Sequence, residues 1–289
     1  MKSKLLLIFA LPVLIAFKSD KPAYLIHTAE GKLTTYSKMV KELLKYDVVF
    51  FGELHNDPIA HWLQIEMTEA FFAEKGTSLK LAAEMFETDN QLIIDEYLSG
   101  SIKETSFEGE VKLWKNYTTD YKPLMTFAKN NGLKFIASNV PRRYASMVAS
   151  GGFEALEKLS DESKAYIAPM PFDYDPEVKC YKDMLSMGGG AMGGHQNTNL
   201  PKAQALKDVT MAWAIAKFYE SGDFVFHYNG SYHSNRHEGI VWYLKRYKPE
   251  LKIAVINLVL EDDPSVLSET NAGSADFIIA VPKKMTRTY

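Results

Sequence analysis

Six short runs along the chain are apolar almost without interruption: Val48–Gly52, Leu81–Met85, Lys134–Val140, Phe224–Tyr228, Lys252–Leu260 and Phe277–Val281. Continuous runs of this kind suit strands covered on both faces, as in a largely parallel sheet, better than strands with one wet face. Helical spacing separates them. Asn56 or Asp57 reads as an N-cap and Pro58 as a first turn, with His61, Ile65, Thr68 and Phe72 following at helical intervals. A second helix is expected over 202–219. The order strand, helix, strand predicts an α/β fold with a largely parallel sheet flanked by helices. His27, ahead of AEGKL, reads as part of a small hairpin with Gly31 at its turn.

Two connections, residues 87–133 and 142–222, far exceed the roughly 4–6 residues typical of such folds. They read as helical insertions in a single domain over 20–289, forming a smaller helical cap subdomain. The first carries QLIIDEYLSG and LWKNYTTDYKPL. The second carries a helix around Phe153–Lys158 and the glycine-rich loop MLSMGGGAMGGHQNTN.

The chain opens with Lys2 and Lys4 and an apolar run from Leu5 to Phe17. That run is shorter than the roughly 20 residues of a bilayer-spanning helix and has the pattern of a secretory signal peptide, expected over 1–19. A retained anchor or a buried helix is the alternative. No cysteine lies near it, so the expectation is export to the periplasm or cell envelope, not as a lipoprotein. Losing Lys2, Lys4 and Lys18 takes the formal charge from −3 to about −6. No later stretch is polybasic, so nucleic acid and anionic membrane surfaces are not expected partners. Cys180 is the only cysteine, and stability must come from a core.

The strand ends carry polar residues. Glu53 and His55 follow the first run, Glu84 ends the second, Asn139 and Arg142 close the third, and Asn229, Tyr232 and His233 follow the fourth. In open parallel sheets ligands sit beyond the carboxyl ends of the strands. Two carboxylates close together in a poorly solvated crevice need a cation or a shared proton. Arg142, a protonated histidine or a bound metal would each supply it. One reading is a salt-bridge network. The other is a site in which Glu53, His55, Glu84 and His233 hold a divalent metal ion and activate water, with Asn139 and Arg142 steadying an oxyanion. His61 faces either solvent or the crevice, His237 reads as surface, and Cys180 as packing. Walker and GxSxG patterns do not occur. The glycine-rich loop, with His195, Met184, Met187 and Met192, would suit closure over a flat apolar cofactor, and tyrosinate is a known haem ligand.

The segments GELHNDPIAHWLQ, LAAEMF, WKNYTTDYKPL, GLKFIASNVPRR, KDVTMAWAI and YNGSYHSNRHEGIVWYL, in that order, resemble the ChaN-like haem-binding proteins. More distantly they resemble the TIKI, TraB and erythromycin-esterase group, at whose signature positions stand Glu53, His55, Glu84 and His233. The resemblance covers most of the mature chain. It implies a large α/β domain with a smaller helical one, and iron uptake in the cell envelope. It also implies haem held at a homodimer interface by a tyrosine with help from a histidine, in contact with an outer-membrane haem-uptake system. Carried to this sequence, the haem-binding residues would be Tyr121 and His195, with Tyr117 a rival to Tyr121 and Met192 beside the histidine. Familiar members are lipoproteins, whereas this chain has no lipobox cysteine. The alternative function is the metal-dependent hydrolase.

Overall fold

The structure, a computed structural model, describes residues 21–187 and 198–289. Its strands are β1 Leu25–Thr28, β2 Leu33–Thr34, β3 Val48–Glu53, β4 Leu79–Glu87, β5 Phe135–Asn139, β6 Phe224–Gly230, β7 Ile253–Glu261 and β8 Phe277–Pro282. They form one sheet in the order β2-β1-β8-β7-β3-β6-β4-β5. From β8 across to β5 every pairing is parallel, and β1 and β2 extend the edge antiparallel. All six apolar runs are strands. The hairpin around His27 forms as well, with Gly31 at φ +76°, and β1 docks on β8, a strand some 250 residues away in sequence.

The helices in chain order are α1 Tyr36–Leu43, α2 Pro58–Lys75, α3 Gln91–Leu98, α4 Glu104–Glu110 and α5 Lys122–Asn130. They continue as α6 Arg142–Gly151, α7 Asp161–Lys164, α8 Lys179–Met187, α9 Leu200–Phe218 and α10 Ile240–Tyr247. None among the described residues is long and apolar enough to cross a membrane. The sheet alternates its residues between two cores. Val49 and Phe51 pack with Phe71 of α2, Ile94 of α3, Phe107 of α4 and Leu124 of α5. Val48 and Phe50 pack with Val148 of α6, Leu206 of α9 and Leu244 of α10. The two insertions therefore share no core. Residues 87–133 supply a smaller helical layer on one face, and residues 142–222 cover the other.

Local chemistry sets the ends of the elements around β3. The Asp57 carboxylate accepts from the N–H groups of Ile59 and Ala60 at 2.9 and 3.2 Å, and Pro58 occupies the first turn of α2. At the end of β3, a Cβ on Gly52 would stand 2.9 Å from Ser231 Cα and 3.1 Å from the Ile256 carbonyl oxygen. Both obstacles are backbone, so only glycine lets the turn after β6 pass so near β3. Gly52→Ala is expected to destabilise the protein by about 1–3 kcal/mol in urea unfolding. A loss below about 0.5 kcal/mol would show that the turn yields freely.

Candidate functional site

The carboxyl ends of β3, β4 and β6 converge, and two buried ion clusters occupy the space between them. The first centres on Glu53, 1% exposed. Its Oε1 accepts from the Tyr121 hydroxyl at 2.6 Å and from His55 Nδ1 at 2.7 Å, and its Oε2 accepts from the Gln64 amide. His61 faces the crevice rather than solvent, with Nε2 3.3 Å from Asp120 and Nδ1 3.7 Å from Glu53. Asn116 donates to both Asp120 and the His55 carbonyl, tying the Trp114–Tyr121 segment to the strand end. That segment ends in a π-helical turn, Tyr117–Tyr121, which turns Tyr117, Asp120 and Tyr121 inward together.

The second cluster centres on His233. The β4–β5 ladder shifts register between Ala83 and Glu87, which releases Glu84 from regular pairing. Glu84 Oε2 accepts from the Gly230 N–H at 2.7 Å, and Oε1 lies 3.2 Å from His233 Nε2. The other ring nitrogen, Nδ1, donates to Asp208 of α9, whose second oxygen accepts from the Tyr181 hydroxyl at 2.8 Å. Gly230 joins the clusters, because a Cβ there would stand 2.8 Å from His55 Nε2 and 3.4 Å from Glu84 Oε2.

The electrostatics follow from this pairing. Burial alone would raise Glu53 and Glu84, but the adjacent imidazoles and hydrogen bonds hold both below the usual carboxylate range. Burial alone would lower His233, yet Glu84 and Asp208 raise it to about 10. His55 is raised too, since its bond to Glu53 and the charges of Glu84 and Glu53 outweigh its burial. Burial, with Glu53 alongside, pushes the Tyr121 phenol far above its ordinary value.

The four residues of the expected metal site fall into two ion pairs. Glu53 is engaged by His55 and Glu84 by His233 in separate pairs, and among the described residues no group of three acidic, histidine or cysteine side chains could hold a metal ion. The network reading fits better, although the counter-charges are histidines and not Arg142. Asn139 turns its amide N–H onto the Glu84 carbonyl at 2.9 Å. Cys180 is buried packing, as expected, and His237, partly exposed, pairs with Asp276 at 2.9 Å.

The haem candidates divide. Tyr121 is 1% exposed and spends its hydroxyl on Glu53, and Tyr117 is 4% exposed with burial raising its phenol. Neither presents an oxygen to a porphyrin, so the described residues, as arranged, do not fit haem iron through a tyrosine. His195 and Met192, like the signal segment, lie outside the described residues. Several residues of the crevice escape sequence reasoning. Asp208 has a signal, as a lone acid in an apolar helical stretch, and Gln64 another, three residues after His61 on the same helix face. Asp120 and Tyr181 carry none.

Over the exposed edge of His55 opens a cleft of about 540 Å³. Trp114 packs edge-on against the His55 ring at 4.8 Å between centroids and forms one wall.

An open, mostly parallel α/β sheet with a polar crevice at its strand ends defines the class. Residues 39–244 match the family described as haem-binding uptake, Tiki superfamily, ChaN, and the chain belongs to that family. The structure of ChaN of Campylobacter jejuni, described for cofacial haem binding, aligns with a TM-score of 0.68 at 20% identity. That alignment covers 89% of this chain and 96% of that one, and establishes a shared fold. The chloroplastic protein RETICULATA-RELATED 5 of Arabidopsis thaliana is 26% identical over 135 residues, 45% of this chain. The chain spans only 18% of that relative's length.

Proposed function

We propose that this protein binds haem, as part of haem or iron acquisition in the cell envelope, with two copies enclosing the ligand. The observation that carries the reading is the family match over residues 39–244. The basic start and apolar run of the first residues support export. Haem, when bound, would supply an iron centre and a large apolar surface whose burial favours binding.

Hemin titration of the purified protein is the test. Saturable binding with a dissociation constant of about 1 µM or below is expected, with dimers in sedimentation. Because the Tyr121 phenol is buried and bonded to Glu53, Tyr121→Phe is expected to leave the spectrum of bound haem unchanged. If that substitution instead removes a phenolate charge-transfer band, the crevice opens and Tyr121 is the iron ligand. Hemin uptake no stronger than that of an unrelated protein sinks the haem reading.

A further inference from the structure

Four cations ring the cleft above His55: Lys112 and Lys115 beside Trp114, Arg142 at the start of α6, and Lys207 on α9. Among the described residues none of the four makes an ion pair or a side-chain hydrogen bond. Three separate parts of the chain thus line one concavity with cationic side chains that form no ion pair among the described residues. Low-dielectric walls around such a concavity focus the field and favour an anion inside it. Of the acids on the same wall, Glu84 is paired with His233 and Glu87 lies near Lys112, so four cations line the cleft against these two carboxylates.

A second observation says what else the anion must carry. Asn139, 8% exposed, lines the same cleft, and its Oδ1 is buried with no hydrogen-bond partner. Its Nδ2 is already committed to the Glu84 carbonyl, which fixes the amide with Oδ1 as the free end. A buried acceptor left unpaired is costly, so a ligand that brings an N–H or O–H to it gains, while one bringing only oxygen lone pairs is repelled.

We infer that this cleft is a binding site for a small anion bearing its own hydrogen-bond donor, such as a phosphate group that retains an O–H, separate from the haem site. The cations and Asn139 divide the recognition: the first select charge, the second selects a protonated oxygen or nitrogen. Ionised haem propionates supply carboxylates but no donor, which sets this ligand apart from haem itself.

Inorganic phosphate and sulfate make matched probes, because phosphate near neutral pH keeps an O–H and sulfate does not. Calorimetric titration of the full chain at constant ionic strength is expected to show one phosphate site, with sulfate roughly tenfold weaker or worse. Lys207→Gln and Arg142→Gln should each weaken phosphate by about tenfold, and Asn139→Ala should erase the preference over sulfate. Lys207 lies on the surface of α9, so that variant should keep its fold, checked by an unchanged thermal midpoint. Equal heats for the two anions, or indifference to both cation substitutions, overturn the proposal. Hemin is titrated in parallel: if phosphate displaces it and the same variants lose both, the cleft seats propionates and the separate site is refuted while haem binding stands. If hemin fails to bind but phosphate is still preferred, the cleft survives and the haem reading falls.

Discussion

Replacing His233 with alanine is expected to cost about 3–5 kcal/mol of stability, the largest loss from any single side chain in the crevice. The imidazole is 4% exposed and stands between Glu84, 3.2 Å away, and Asp208. Without it two buried carboxylates lose the imidazole between them and only the ring of His55, near Glu84, remains, so each must either ionise in a poorly solvated space or take up a proton. The pH dependence carries the same signature. Folding raises the His233 pKa from 6.5 to about 10, so its contribution is complete below pH 6.5 and disappears as pH climbs through 10. Glu84 is held below its ordinary 4.5, so its share is present above that value and fades as pH falls further. The combined contribution is greatest between these limits. Urea unfolding of both proteins from pH 4 to 10 would show it: the gap should be widest near pH 5–6 and narrow on the alkaline side. A gap under about 1 kcal/mol near pH 6, or one that does not change with pH, would mean that the cluster is not charged as described.

Glu53→Gln is the second large effect, with an expected loss of about 2–3 kcal/mol. The carboxylate accepts from three donors, Tyr121, His55 and Gln64. An amide of the same shape offers one acceptor oxygen and turns its own N–H₂ toward a donor. The substitution also removes a charge that raises His55. The His55 pKa should fall, which proton NMR of its ring can follow. A titration identical to wild type would mean that Glu53 does not govern His55.

How much of this the chain discloses depends on how local each interaction is. The parallel sheet is legible because strands covered on both faces must be apolar at successive positions, as in VVFF of β3. The start of α2 is legible because Asp57 and Pro58 act on their own backbone. Glu53, His55, Glu84 and His233 stand out because strand ends in such sheets meet. Their partners do not stand out. Asp208 reaches His233 from a helix on one face of the sheet, and Tyr121 reaches Glu53 from a turn on the other. No spacing rule links those positions, so imidazole counter-charges and metal ligation remain equally good readings until the chain is folded.

The bonds that close the crevice span long stretches of sequence: 25 residues for His233 to Asp208, 68 for Tyr121 to Glu53 and 146 for Gly230 to Glu84. Contacts so remote in sequence reward the chain only after long loops have closed. The sheet pairings are as remote in sequence, but Glu53, Glu84 and His233 meet only where β3, β4 and β6 already lie side by side, so the charge cluster is expected to lock into place after the sheet. Its energy then acts on the barrier to leaving the native state, and the loss in His233→Ala belongs to a faster unfolding rate rather than a slower folding one. A crevice built in this way acts as a latch on the finished molecule, and sets how long the protein survives rather than how quickly it forms.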